Sequence, residues 1–325
     1  LPPFSVMPQS FPLILNPYDL DARGLVVDVA LLLGSPAITL LPAPLEGHDR
    51  ESVNAAAASA PEFLRLIQRW SWLQDLWREG VLRPEFADHS PIEYVREAEA
   101  DVRSDPRFEG LSRIMRRGVF DTTHDYLRAI CRDLSVGGAE PAVSVPVSVG
   151  LARMAHALNV PLVQEHARRA SGSVVRQLET RSLRNLLSIS IPLPRDISPE
   201  ETAVFREHAG TQIAALREIL SPDTLPTDQD TIIAIEDAFA RAVRDIAGEL
   251  ELDHNARRGR RLSVVLISLG TMPESAPLAA ALRASSLASA RRAASRRATS
   301  GSGVALAPRP LRVLSVRELP WQDRH

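Results

Sequence analysis

Residues 11–41 read FPLILNPYDLDARGLVVDVALLLGSPAITLL, and this stretch decides the fold. Its first five residues are short and apolar, the pattern of a buried strand, and Asn16-Pro17 ends them. Asp19 can cap a helix whose apolar positions Leu25, Val26, Val29, Leu32 and Leu33 follow a 3.6-residue rhythm. Gly34 supplies the stop, and residues 37–41 form a second apolar run before Pro42. Strand, helix and strand in so short a span make a βαβ unit, whose crossover helix lets the two strands run parallel.

Working outward, residues 51–135 read as a helical subdomain. Ser59-Ala60-Pro61-Glu62 has the capping-box form, in which Ser oxygen and Glu carboxylate satisfy the free N–H groups of a helix start. Phe63, Leu66, Ile67, Trp70, Leu73 and Trp77 then fall on one stripe, ended by Gly80. Trp72 lies off the stripe, which fits a second packed layer better than bare surface. Ser90-Pro91-Ile92-Glu93 repeats the start signal. Helices are expected over 106–117, stopped by Gly118, and over 122–134, stopped by Gly137.

Residues 136–253 return to mixed structure. Residues 141–147 read as a loop or edge strand, because Pro146 lacks a ladder donor, with Ser148 capping a short helix to Leu158. Strands are expected at 160–163 and 187–191, with a helix near 174–183 between them. Ser198-Pro199-Glu200-Glu201 opens the clearest helix of the chain, running to Leu220. A Pro/Thr/Asp linker follows, and Ile232, Ile235, Phe239, Val243, Ile246 and Leu250 define the next helix.

Residues 254–325 carry an Arg-rich opening, a strand over 262–269, a helix over 277–297 and a strand over 311–316, a second βαβ candidate. The sum is an α-rich α/β protein. Its short, mostly parallel sheet is built from βαβ units at 1–50 and 254–325, with the helical subdomain inserted.

The composition is that of a globular chain: 45% of its 325 residues are hydrophobic and 24% charged. All 38 basic residues are arginine, and aromatics make up only 5%. Arginine and alanine richness of this kind points to a GC-rich, bacterial genome. The charge is divided unevenly. From His254 onward 13 arginines face three acids, a local +10, whereas the preceding residues sum to −12. Cys131 is alone, so no intrachain disulfide forms, and its helical, apolar surroundings suit an inert buried thiol. No apolar run approaches the roughly 18 residues of a membrane span. The first ten residues hold no positive charge, so a cytoplasmic protein is expected.

The motifs that announce chemistry are absent: no Gly-x-Gly-x-x-Gly, Gly-x-Ser-x-Gly, His-Glu-x-x-His or Cys-x-x-Cys occurs, and a lysine-free chain has no phosphate loop of the Gly-Lys type. No cofactor or metal is expected. In open α/β sheets ligands bind beyond the carboxyl ends of strands. Asp19 and Asp21 would follow the first strand there, His48 the second, and Glu165 and His166 the strand near residue 163, offering carboxylates and imidazoles for acid–base work. Asp121-Thr122-Thr123-His124-Asp125 gathers two acids and a histidine, but Thr or Asp capping a helix start accounts for it without chemistry.

The stronger lead is the arginine clusters, Arg257, Arg258, Arg260 and Arg261 before a strand and Arg291, Arg292, Arg296 and Arg297 late in a helix. A planar guanidinium suits bidentate pairing at interfaces, where lysine does not. The expected function is that of a non-enzymatic cytosolic interaction or assembly protein, whose Arg-rich C-terminal segment docks on an acidic protein surface such as that of another copy. Two alternatives use other chemistry. One is nucleic-acid association through the same clusters, although residues 254–320 hold no aromatic to stack on bases. The other is an enzyme with an acid and histidine site at the strand ends. No membrane partner is expected.

Overall fold

The computed structural model describes residues 10–22, 24–39, 70–136, 140–165, 184–194, 198–221, 228–253, 262–271 and 311–319. The chain enters through β1 (Leu13–Leu15), α1 (Pro17–Ala22), α2 (Leu25–Leu33) and β2 (Ala37–Ile38). Next come α3 (Gln74–Arg78), β3 (Leu82–Arg83), α4 (Pro91–Ser104), α5 (Glu109–Ser112), α6 (Thr123–Ser135) and α7 (Pro141–Leu158). The strands β4 (Leu162–Glu165) and β5 (Arg184–Pro194) precede three helices, α8 (Pro199–His208), α9 (Gly210–Leu220) and α10 (Gln229–Asp253). The last elements are β6 (Leu262–Thr271) and β7 (Arg312–Leu319). The protein is α/β, with one seven-stranded mixed sheet in the order β3-β2-β1-β4-β7-β6-β5.

At the N-terminus β1 and β2 pair in parallel, Leu13 beside Ala37 and Ile14 beside Ile38, with two helices between them. The cap of the first helix is Asn16, not Asp19: the Tyr18 N–H donates to Asn16 Oδ1 at 3.0 Å. Pro17 at the first helical position leaves the neighbouring side chain to cap, and Asp19 falls in the first turn instead. All nine residues of α2 are buried. It lies between the sheet, where it packs on β1, β4 and β7, and the helices α8 and α9. A helix covered on every side reads as apolar all round, which is why its sequence shows a nearly unbroken run. Gly34 follows it with an ordinary φ of −65°. The position needs glycine for space, since a Cβ there would stand 2.5 Å from the Ala30 carbonyl oxygen.

The C-terminal strands do not form a second βαβ unit. β6 and β7 are direct neighbours running antiparallel, Ile267 beside Val316 and Leu269 beside Leu314, and β5 pairs with β6 antiparallel as well. The sheet is parallel only from β3 through β7 and is mixed as a whole. Runs of Val and Ile carry the same signal in either chain direction, so the sequence does not disclose which way a strand points. The described strands of this C-terminal region, β6 and β7, sit inside the sheet.

Residues 141–158 form one continuous helix with Pro146 inside it, correcting the loop or edge strand and short helix expected there. Val143, Val145, Val147 and Val149 alternate in sequence like a strand, yet all four are buried because α7 is covered on all sides. The single ladder bond that Pro146 removes is outweighed by that burial, at about 1.5–3 kcal/mol per large apolar side chain. Gly150 lets α7 approach α4: a Cβ would lie 2.6 Å from the Val95 Cα. The helix expected over 106–117 is only a 3₁₀ turn and the four-residue α5. The long helix after Ser198 breaks at Ala209 into α8 and α9, while its capping box forms as the sequence indicates. Trp70 is buried and Trp72 and Trp77 are half-buried against the core. The helices expected at 174–183 and 277–297 lie outside the described residues.

Candidate functional site

Polar side chains concentrate in two regions, the strand ends and an acidic helical layer. Strand order reverses between β1 and β4, since β1 leads to β2 on one side while β4 pairs on the other. Such a reversal is where open α/β sheets hold ligands. Asn16 follows β1 there, and its Nδ2 donates to Ser148 Oγ on α7 at 3.3 Å. Thr39, fully buried after β2, has an Oγ1 without a hydrogen-bond partner among the described residues, and so does the buried Nε2 of Gln164 in β4.

Asp133 is the acid that sequence reading missed. It is fully buried on α6, with the Tyr18 hydroxyl donating to Oδ2 at 2.5 Å and the Glu140 N–H to Oδ1 at 2.7 Å. Burial raises its carboxyl above the ordinary carboxylate range, and the two donors offset part of that rise. Both oxygens are engaged, so the group ties α1, α6 and α7 together. Its position between the apolar Ile130, Cys131 and Leu134 was the available signal for a buried acid.

Of the strand-end candidates, the structure places Asp19 half-buried in α1, at the same sheet edge as Gln164, because β1 and β4 run parallel with Leu15 beside Val163. The side chains of Asp21 and Glu165 lie outside the described residues, as do His48 and His166. Outside them too are Arg257, Arg258, Arg260, Arg261, Arg291, Arg292, Arg296 and Arg297. Among the described residues no group of three His, Cys, Asp or Glu side chains is placed to hold a metal. No helix there is long and apolar enough to cross a membrane. In the acidic run near residue 121, Thr122 caps α6: its Oγ1 accepts the Asp125 N–H at 3.1 Å.

The helices α8, α9 and α10 pack on one another, and the ring pair Phe205–Phe239, 6.0 Å between centroids, locks α8 to α10. Two arginines of this layer turn inward. Arg206 donates through one nitrogen to the carbonyls of Leu31 at 2.6 Å and Gly34 at 2.8 Å, and Arg217 Nε donates to Leu33 at 2.9 Å. Both satisfy the end of α2, where unpaired carbonyls and the negative end of the helix dipole favour a cation. Burial lowers both guanidinium pKa values; Arg217, with the Arg206 charge adding to the effect of burial, falls to about 10. The outward side is left to Glu200, Glu207, Glu218, Asp228, Asp230, Asp237 and Asp245, all exposed, against Arg241 and Arg244.

Compared with known proteins, the chain matches no family model, no curated protein and no solved structure.

Proposed function

We propose that this chain is an assembly protein without catalytic activity of its own, in which the arginine clusters of one copy dock on the acidic α8–α10 layer of another. The observation that carries this reading is the inward turn of Arg206 and Arg217, which leaves that layer's exposed face rich in carboxylates. The charge it would attract is the +10 of residues 254–325. Arginine serves such a contact better than lysine, because its flat fork pairs with two carboxylate oxygens at once.

The test is molar mass by light scattering across protein concentration and salt. The reading predicts an oligomer that dissociates as salt shortens the screening length. Charge-neutral substitution of arginines, not truncation, is the right perturbation, because cutting after Asp253 would remove β6 and β7 from the sheet. A monomer at every concentration and salt would refute it.

A second reading, a ligand site at the strand ends, is favoured by the order reversal beside β1 and by the Thr39 and Gln164 atoms that have no hydrogen-bond partner among the described residues. It predicts that Gln164→Leu abolishes thermal stabilisation by a small polar ligand in a metabolite screen without lowering the melting temperature of the free protein.

A further inference from the structure

The acidic layer contains a concavity of about 360 Å³ between α8–α9 and α10, within the size range of sites for small groups. Ala238, Ala242 and Ile246 form its apolar wall, and Gln212, Asp245, Arg241 and His208 supply the polar atoms. The Oε1 of Gln212 is buried and accepts no hydrogen bond among the described residues. The terminal amide torsion is soft, so turning that oxygen into the cavity is easy. The carboxylate of Asp245 is exposed and has no hydrogen bond or ion pair among the described residues. Arg241 stands one turn from Asp245, so the cavity's lining carries one carboxylate and one guanidinium, within a layer whose exposed acids outnumber its exposed arginines.

Two acceptors and an apolar wall, set in an acidic layer, describe a receptor for a cation with a flat, multiply donating head and a hydrocarbon stem. We infer that this cavity receives an arginine side chain from the Arg-rich segment of a second copy, its guanidinium donating to Asp245 and Gln212 and its stem lying on Ala238, Ala242 and Ile246. The inference rests on the assembly reading and names the contact at its centre.

The experiment measures the self-association constant of the full chain by light scattering for wild type, Asp245→Asn, Gln212→Leu and Arg241→Met, with a melting curve for each to confirm folding. Free arginine amide and lysine amide serve as competitors. Asp245→Asn should weaken association about tenfold or more, the usual loss when a charge-assisted partner is removed. Arg241→Met should tighten it, and arginine amide should dissociate the oligomer at concentrations where lysine amide does not. A salt-sensitive oligomer whose constant stays within about twofold in Asp245→Asn overturns this inference while leaving assembly intact. A wild-type chain that never associates removes both.

Discussion

The inward arginines give the sharpest stability prediction, and Arg206→Met is the substitution to make. Methionine keeps much of the stem's volume and removes the guanidinium, leaving the Leu31 and Gly34 carbonyls without their donor. Hydrogen bonds to charged groups contribute about 1.5–3 kcal/mol each. One nitrogen serving two carbonyls does not earn twice that, and the charge is itself partly desolvated and sits near Arg217, which offsets a share. A net loss of about 2 kcal/mol follows. At about 2.1 cal/mol/K of unfolding entropy per residue, a chain of 325 residues loses roughly 3 °C of melting temperature for it. Calorimetry or a fluorescence melt resolves that shift. Arg244→Met, on the exposed face of α10, is the control and should change stability by less than about 0.5 kcal/mol. Equal melting temperatures for the two variants would refute the idea that arginines hold the end of α2.

Other perturbations follow from single contacts. The raised pKa of Asp133 means its protonated form is favoured by folding, so stability should fall as pH rises from the ordinary carboxylate pKa of about 4 through the raised folded value. Urea titrations across that window should show this slope in wild type and lose it in Asp133→Asn. Gly150→Ala should cost about 1–3 kcal/mol, because its methyl meets the Val95 backbone; an unchanged urea midpoint would contradict the close approach of α7 and α4. The open edge of β5 has few donors: the Ser190 N–H is taken by Glu236 Oε1 at 2.6 Å, and Pro192 and Pro194 share its side of the strand. The triple change Glu236→Ala, Pro192→Val and Pro194→Thr should therefore produce salt-resistant aggregation, read by sedimentation, that wild type does not show.

Much of the element order was legible because short apolar runs and capping signals are local. The Ser198 capping box, the stripe of α10 and the parallel pair β1–β2 needed only the spacing of a few residues. What failed to show was settled by tertiary surroundings. Alternating valines in α7 look like a strand until helices and sheet cover every side, and β7 looks the same whether it runs with β6 or against it. At the candidate site, the net acidity of the first 253 residues was visible in composition. The inward turn of Arg206 and Arg217 was not, since nothing local distinguishes a capping arginine from a solvated one. Asp133 was legible only in part: its apolar neighbours signal burial, but the donors that make that burial tolerable, the Tyr18 hydroxyl and the Glu140 N–H, come from α1 and from the start of α7.

The most direct test of the assembly account is a mixing experiment followed by light scattering. One variant carries Asp230→Asn, Asp237→Asn and Asp245→Asn with all arginines intact; the other carries Arg291→Gln, Arg292→Gln, Arg296→Gln and Arg297→Gln with the acidic layer intact. The account predicts that each alone associates far more weakly than wild type, and that the mixture regains a salt-sensitive complex through the one complementary pair of surfaces. Variants that assemble alone as wild type does, or a mixture that stays monomeric while wild type assembles, would contradict it.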